Sequence, residues 1–190
     1  MRTGNYSSRG VLAVLMLIGM IAVIGAIFAD IIVHTLYPKN YSEIIESSCE
    51  EFGVDESLVY AIIHTESGFD PGACSSVGAL GLMQIMPETF EWLQTRLPPE
   101  NGLTEADLFT PEVNIRYGVY YVSRLRDLFG SDTLVIAAYH AGQGSVRKWL
   151  DESGIPAEDF AKTDIPSAAT SHYVSKVERA RNIYNKLYLK

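Results

Sequence analysis

The chain has 190 residues, of which 47% are hydrophobic, and a formal net charge of −8. The charge is uneven: three basic residues (Arg2, Arg9, Lys39) and one acidic residue (Asp30) precede Tyr41, leaving twelve basic against twenty-two acidic residues after it. A domain that acidic repels phosphates, so nucleic acid is excluded as a partner.

The first element is Val11 to Ala29, nineteen residues without a charge, extended past Asp30 by Ile31, Ile32 and Val33. As a helix the uncharged run alone spans about 28 Å, close to the hydrocarbon thickness of a bilayer. With no polar face it is a poor core helix. Arg2 and Arg9 precede it, so residues 1–10 are expected in the cytoplasm, residues 11–33 across the membrane and the rest outside. A cleaved leader, cut after Ile27-Phe28-Ala29, is the competing reading. The run is longer than a usual leader core and Ile27 is bulky for the cleavage position, so a retained anchor is favoured.

Residues 34–40 read as a spacer, and residues 41–190 as one soluble domain of about 150 residues, enough for a sizeable core. Asn40 with Glu43 predicts a capping box and a helix ending near Gly53. Asp55 predicts the cap of a second helix, from Glu56 to about Ser67, with Leu58, Val59, Ile62 and Ile63 at helical spacing. Pro87 opens a third helix to about Leu97, and Pro98 to Gly102 reads as a loop. Thr110-Pro111-Glu112 is a strong start signal for a helix ending at Gly130. Further helices are predicted from Asp132 (as cap) to Ala141, from Ser145 to before Gly154, and from about Ser171 to Leu189. No alternating strand pattern of useful length occurs, so the fold class is all-α. Cys49 and Cys74 have neither CxxC spacing nor companion histidines, which argues against a zinc site. Outside the cytoplasm the two could pair, and the sequence leaves that open.

Three stretches carry chemistry. In His64-Thr-Glu66-Ser67-Gly68-Phe-Asp70-Pro71, Glu66 lies in the last turn of an apolar helix. The negative end of the helix dipole and apolar neighbours both favour a protonated carboxyl, which is what a general acid requires. A solvated glutamate at a fraying helix end is the competing reading. Ser75-Ser-Val-Gly78-Ala-Leu-Gly81-Leu82-Met83-Gln84-Ile-Met-Pro87 combines glycines, which allow close backbone approach, with Gln84, whose amide suits sugar hydroxyls and acetamido groups. Ala137-Ala-Tyr139-His140-Ala-Gly142-Gln143-Gly is a helix end that mixes aromatic, polar and small residues.

In this order ESGFDP, GALGLMQIMP, NIRYGVYYVSRL and AYHAGQGSV resemble the catalytic domain of lytic transglycosylases of the soluble-transglycosylase type, relatives of goose-type lysozyme. The resemblance covers about residues 41 to 185. It implies a compact lysozyme-like helical domain behind one N-terminal transmembrane helix. Glu66 matches the sole acid/base of that family, with Ser67 following it. Ser75, Leu82, Met83 and Gln84 match the segment that lines the glycan groove. Tyr117 falls in the matching stretch of the long helix, Tyr139 matches the tyrosine of an Ala-Tyr-Asn-Ala-Gly motif, and Tyr173 matches a late tyrosine near the acid. Three positions depart: His140 replaces asparagine, Gln143 stands where proline is common, and Ala169 stands where a glutamate is usual. Histidine can mimic asparagine when neutral but gains a charge on acidification.

The implied activity is cleavage of the β-1,4 bond between N-acetylmuramic acid and N-acetylglucosamine in peptidoglycan, with a 1,6-anhydro product. A hydrolytic muramidase on the same fold, or a catalytically weakened glycan-binding protein, are the alternatives. Asp70 is the nearby second carboxylate and reads as part of the loop that caps the helix. No metal and no cofactor are expected. The expected partners are glycan strands and the membrane, and the expected state is a monomer. Wall remodelling, secretion-system assembly and conjugative transfer all suit a small anchored form.

Overall fold

The computed structural model describes residues 8–99 and 102–189. Arg2, with the rest of the expected cytoplasmic tail up to residue 7, and Glu100 and Asn101 of the expected loop lie outside the described residues. The chain divides between Pro38 and Lys39 into two compact units.

The first unit is helix α1, Ser8–Leu36. Within it Leu12–Leu36 is long and apolar enough to cross a membrane, and none of that span is buried in protein. The helix continues through Asp30, which faces His34 one turn on at 3.6 Å, and reaches further than the expected end at Val33. The uninterrupted i to i+4 ladder tolerates one acid that finds a partner on its own face.

The second unit is all-α among the described residues: α2 Ser42–Phe52, α3 Glu56–Glu66, α4 Pro87–Gln94, α5 Pro111–Phe129, α6 Asp132–Ala141, α7 Gln143–Ser153 and α8 Ala168–Tyr188. Short 3-10 helices occupy Glu105–Phe109 and Lys162–Asp164. Neither is foreshadowed by periodicity, because one turn is too short to show a repeat.

Three helices start where aspartate or proline sets the first turn. The Asp55 carboxylate accepts from the Leu58 N–H at 3.1 Å, and Pro87 and Pro111 occupy first turns. Elsewhere boundaries differ. The expected Asn40–Glu43 capping box does not form, because Tyr41 takes a left-handed conformation (φ 59°) and the helix begins at Ser42 without a side-chain cap. Ser131, not Asp132, is the cap residue of α6, and Asp132 instead holds Arg181 Nη1 at 2.6 Å. α7 begins two residues before Ser145, directly after Gly142 (φ 83°). α8 begins three residues before Ser171, capped by Ser167, whose hydroxyl accepts from the Thr170 N–H. Cys49 is buried and Cys74 exposed, and both are free thiols.

Helix α3 is the centre of the unit. Leu58 through Ile63 are all fully buried, so it is apolar on every face, as a helix enclosed by others must be. It runs along α8, while α2 packs on α5, and α6 on both α5 and α8. Each fully buried aliphatic side chain there contributes roughly 2 kcal/mol of transfer free energy. Arg181 ties α8 to this centre, reaching Ser57 Oγ at 3.1 Å as well as Asp132.

Residues 67–86 form no helix, yet Ala79 to Met83 and Ile85 are buried. The Leu80 and Ile85 peptides exchange hydrogen bonds at 3.0 Å, and the Gly81 N–H donates to the Ala73 carbonyl at 2.8 Å. What remains is met by Asn114 of α5, which is fully buried. Its Oδ1 accepts from the Met83 N–H at 2.7 Å, and its Nδ2 donates to the carbonyls of Leu80 at 2.9 Å and Leu108 at 2.8 Å. Gly81 (φ 71°) lies so close that a Cβ there would collide with the Leu108 carbonyl and the Asn114 amide. Across α5, Met83 fills the space left by Gly118.

Replacing Asn114 by alanine strands the Met83 N–H and the Leu108 carbonyl, each at a cost of about 1–3 kcal/mol, while the Leu80 carbonyl keeps its bond from Ile85. Asn114→Ala should therefore lower the unfolding free energy by roughly 2 kcal/mol or more, measured by urea denaturation. A loss below about 1 kcal/mol would show that the loop is held in some other way.

Candidate active site

Glu66 is the last residue of α3 and is partly buried. Its Oε1 accepts a hydrogen bond from the Tyr173 hydroxyl of α8 at 2.6 Å. Burial raises its pKa above the ordinary glutamate value, and the bond from Tyr173, which favours the anion, only partly offsets this. The carboxyl is thus held towards its protonated form while its orientation is fixed. Tyr173 is itself pushed far above the usual phenol value, first by burial and then by the nearby Glu66 charge, so it remains a donor.

Ser67 ends the helix and ties it to the loop. Its hydroxyl donates to the Leu82 carbonyl at 2.7 Å and accepts from the Phe69 N–H at 3.2 Å. Gly68 and Phe69 both take positive φ, which turns the chain sharply away immediately beyond Glu66. Asp70 is exposed and accepts from the Gly72 N–H at 2.9 Å, the loop role expected for it. Ser75 closes the turn of 75–79, its hydroxyl accepting from the Ala79 N–H at 2.9 Å.

Leu82 and Met83 are fully buried and present no side-chain surface to a ligand; their expected place in the groove lining is taken by core packing. Their backbone matters instead, since the Leu82 carbonyl accepts from Ser67 and the Met83 carbonyl from the Tyr139 hydroxyl at 2.7 Å. Gln84 sits at φ 48°, with its Nε2 donating to the carbonyls of Ala73 and Gly81 at 3.1 and 2.9 Å. Its donors are consumed by the loop, and its remaining surface faces a cleft.

That cleft has a volume of about 250 Å³, and its walls include Gln84, Met86, Thr89, Tyr121, Tyr139 and His140. Thr89 and Tyr121 continue into a neighbouring hollow with Glu88, Trp92 and Gln143. The Tyr121 ring lies 5.4 Å from Tyr139 and 6.3 Å from Trp92, giving an aromatic run along the groove floor. Tyr139 has a pKa far above the usual phenol value, by burial first and then by the charge of Glu66. His140 stacks on Tyr173 at 4.5 Å, so the wall of the cleft rests directly on the residue that holds Glu66.

Tyr117 does not reach this cleft. It is buried, packs edge-on against Phe90 at 4.8 Å and donates to the Leu97 carbonyl at 2.8 Å. Tyr121, one turn further along the same face of α5, is the tyrosine that lines the site. Its i+4 spacing from Tyr117 was visible, but nothing in the sequence said which of the two turns meets the groove. Asn114 was also passed over, although a polar residue in the first turn of a helix that must be buried is a signal for a backbone anchor. Of the three unusual positions, His140 and Gln143 border the groove, and Ala169 is exposed in the first turn of α8. No cluster of metal-ligating side chains occurs among the described residues.

The family model of the transglycosylase SLT domain matches residues 43–160. Among solved structures, an inactive mutant of the lytic transglycosylase Slt from Pseudomonas aeruginosa superposes with a TM-score of 0.72 at 32% identity, over 79% of this chain and 24% of that one. The 70 kDa soluble lytic transglycosylase of Escherichia coli gives a TM-score of 0.75 at 30% identity, over 81% of this chain and 25% of that one. A complex of the 70 kDa soluble lytic transglycosylase with bulgecin A gives the same TM-score of 0.75. The chain thus corresponds to about a quarter of the length of these relatives. With its family match over residues 43–160 and its helical fold shared with these structures, the chain belongs to the transglycosylase SLT domain family.

Proposed function

We propose that this domain is a lytic transglycosylase of peptidoglycan and that Glu66 is its single acid/base. The observation that carries the reading is the environment of Glu66: a partly buried carboxyl, raised in pKa and oriented by Tyr173, whose ring stacks on His140 of the aromatic cleft. It is supported by the relatives, one of which is an inactive mutant in which a glutamate is replaced by glutamine.

Glycosidases that use two carboxylates place them on either side of the bond. Here Asp70 is engaged in its loop, which favours a route using one acid. Glu66 donates its proton to the oxygen linking N-acetylmuramic acid to N-acetylglucosamine, and the C1–O bond breaks. The acetamido oxygen of the same muramic residue bonds to C1 and takes up the positive charge. Glu66, now a carboxylate, accepts the proton of the C6 hydroxyl. O6 then closes on C1 as the acetamido oxygen leaves. The products are a 1,6-anhydromuramic end and a free 4-hydroxyl, and no water is consumed. The bond from Tyr173 stabilises the intermediate carboxylate, while burial shifts the resting group towards its protonated form.

Helix α1 serves in this reading as a single-pass anchor, with the domain on the outer face near the wall. Length and apolarity of Leu12–Leu36 support it.

Digestion of purified peptidoglycan should yield products of anhydro mass, and Glu66→Gln should slow their release by roughly a hundredfold or more. Reducing ends alone would make the enzyme a hydrolase, and near-normal turnover by Glu66→Gln would remove Glu66 from its role. Sequencing the N terminus of the protein isolated from membranes should find the apolar helix retained; a start at Asp30 would make the segment a cleaved leader.

A further inference from the structure

His140 stands at the end of α6, and two contacts fix its ring. One face stacks on Tyr173 at 4.5 Å with the planes 30° apart. Its Nδ1 lies 3.3 Å from the Thr170 hydroxyl oxygen. Thr170 is buried, and its hydroxyl donates to Ser167 Oγ at 3.1 Å. The same Ser167 oxygen accepts the Thr170 N–H as the cap of α8. A hydroxyl has one proton, and that of Thr170 goes to Ser167 when Ser167 turns its own proton away. What it then offers His140 is a lone pair, which requires the proton on Nδ1. A neutral imidazole has only one N–H, so Nε2 is left as a bare acceptor. No hydrogen bond to Nε2 occurs among the described residues, and His140 lines the cleft. Burial lowers its pKa, which keeps the ring neutral at pH 7.

The rest of the cleft sharpens what this acceptor is for. The Gln84 amide donors go to the Ala73 and Gly81 carbonyls, and the Tyr139 hydroxyl donates to the Met83 carbonyl. Thr89 and Tyr121, which also carry hydroxyls, line the same cleft. Nε2 of His140 adds an acceptor to this wall, and that position suits a ligand that supplies a donor.

We propose that His140 is a specificity-determining residue: held in the Nδ1–H tautomer by Thr170, it presents Nε2 to the acetamido N–H of a bound amino sugar. This rests on the glycan-cleaving reading above. The acetamido group is the donor that separates an N-acetylated strand from a plain glucan, so the residue selects for N-acetylation.

Two measurements on the full chain, solubilised in detergent and carrying Glu66→Gln to prevent turnover, test the assignment. Long-range proton–nitrogen correlation spectra, with the His140 signals identified by their loss in His140→Asn, should show Nδ1 protonated and Nε2 bare, and Thr170→Val should abolish that preference. The Nε2–H tautomer would overturn the proposal. In calorimetric titrations the tetramer of N-acetylglucosamine should bind at least about tenfold more weakly to His140→Phe, equivalent to about 1.4 kcal/mol. His140→Asn, which keeps an acceptor, should lose less, and a tetramer of glucose should respond to neither change. Equal binding of the amino-sugar tetramer by His140→Phe, or equal losses in the two variants with unchanged unfolding midpoints, would overturn it. If neither tetramer binds any form and the unmodified chain leaves peptidoglycan intact, the functional reading itself fails. If the unmodified chain cleaves peptidoglycan while the His140 variants bind as before, only this assignment fails.

Discussion

Between Ser67 and Met86 the chain leaves the helix and still turns inward, so its buried peptide groups need partners that no helix ladder supplies. Those partners are side chains from three helices. Ser67 at the end of α3 takes the Leu82 carbonyl, Asn114 of α5 takes the Met83 N–H and the Leu80 carbonyl, and Tyr139 of α6 takes the Met83 carbonyl. Each such bond adds only about 1 kcal/mol net, but an unmet group would cost more, so the three helices are locked to one loop geometry. Gly81 and Gly118 are the spatial counterpart, since a side chain at either would push the loop off α5.

The same bonds place Glu66. It directly precedes Ser67, so the loop that Ser67 anchors also limits where the carboxyl can go. Its carboxyl accepts a hydrogen bond from Tyr173, and Tyr173 is held by the His140 stack on one side and the packing of α8 on α3 on the other. Burial and hydrogen bonding then act in opposite directions on one proton, and burial is the larger effect. A group with that balance can give up a proton and take one back, which is what a single acid/base must do.

Much of this could be read from the chain before any coordinates. Proline and aspartate at helix starts are local signals, and α3, α4 and α5 begin where Asp55, Pro87 and Pro111 place them. Starts set by backbone conformation, at Tyr41 and Gly142, were misplaced because nothing in those side chains demands the turn. The linear motif around Leu82 and Met83 marked the right segment but not which side of it faces out, so two core residues were assigned to the groove. Pairing of Glu66 with Tyr173 spans 107 positions, and only resemblance to a family brought the two together. The Tyr117–Tyr121 exchange has the same origin: periodicity gives a face, and the neighbouring helices decide which turn of it is used.

The central claim is that burial raises the pKa of Glu66 and Tyr173 holds it in place. Carbon-13 NMR titration of the Glu66 carboxyl, assigned by its absence in Glu66→Gln, measures this directly. A midpoint above the ordinary glutamate value of about 4.3, moving further upward in Tyr173→Phe as the bond that favours the anion is removed, is the predicted result. A midpoint at or below that value, or a downward shift in Tyr173→Phe, would contradict the account.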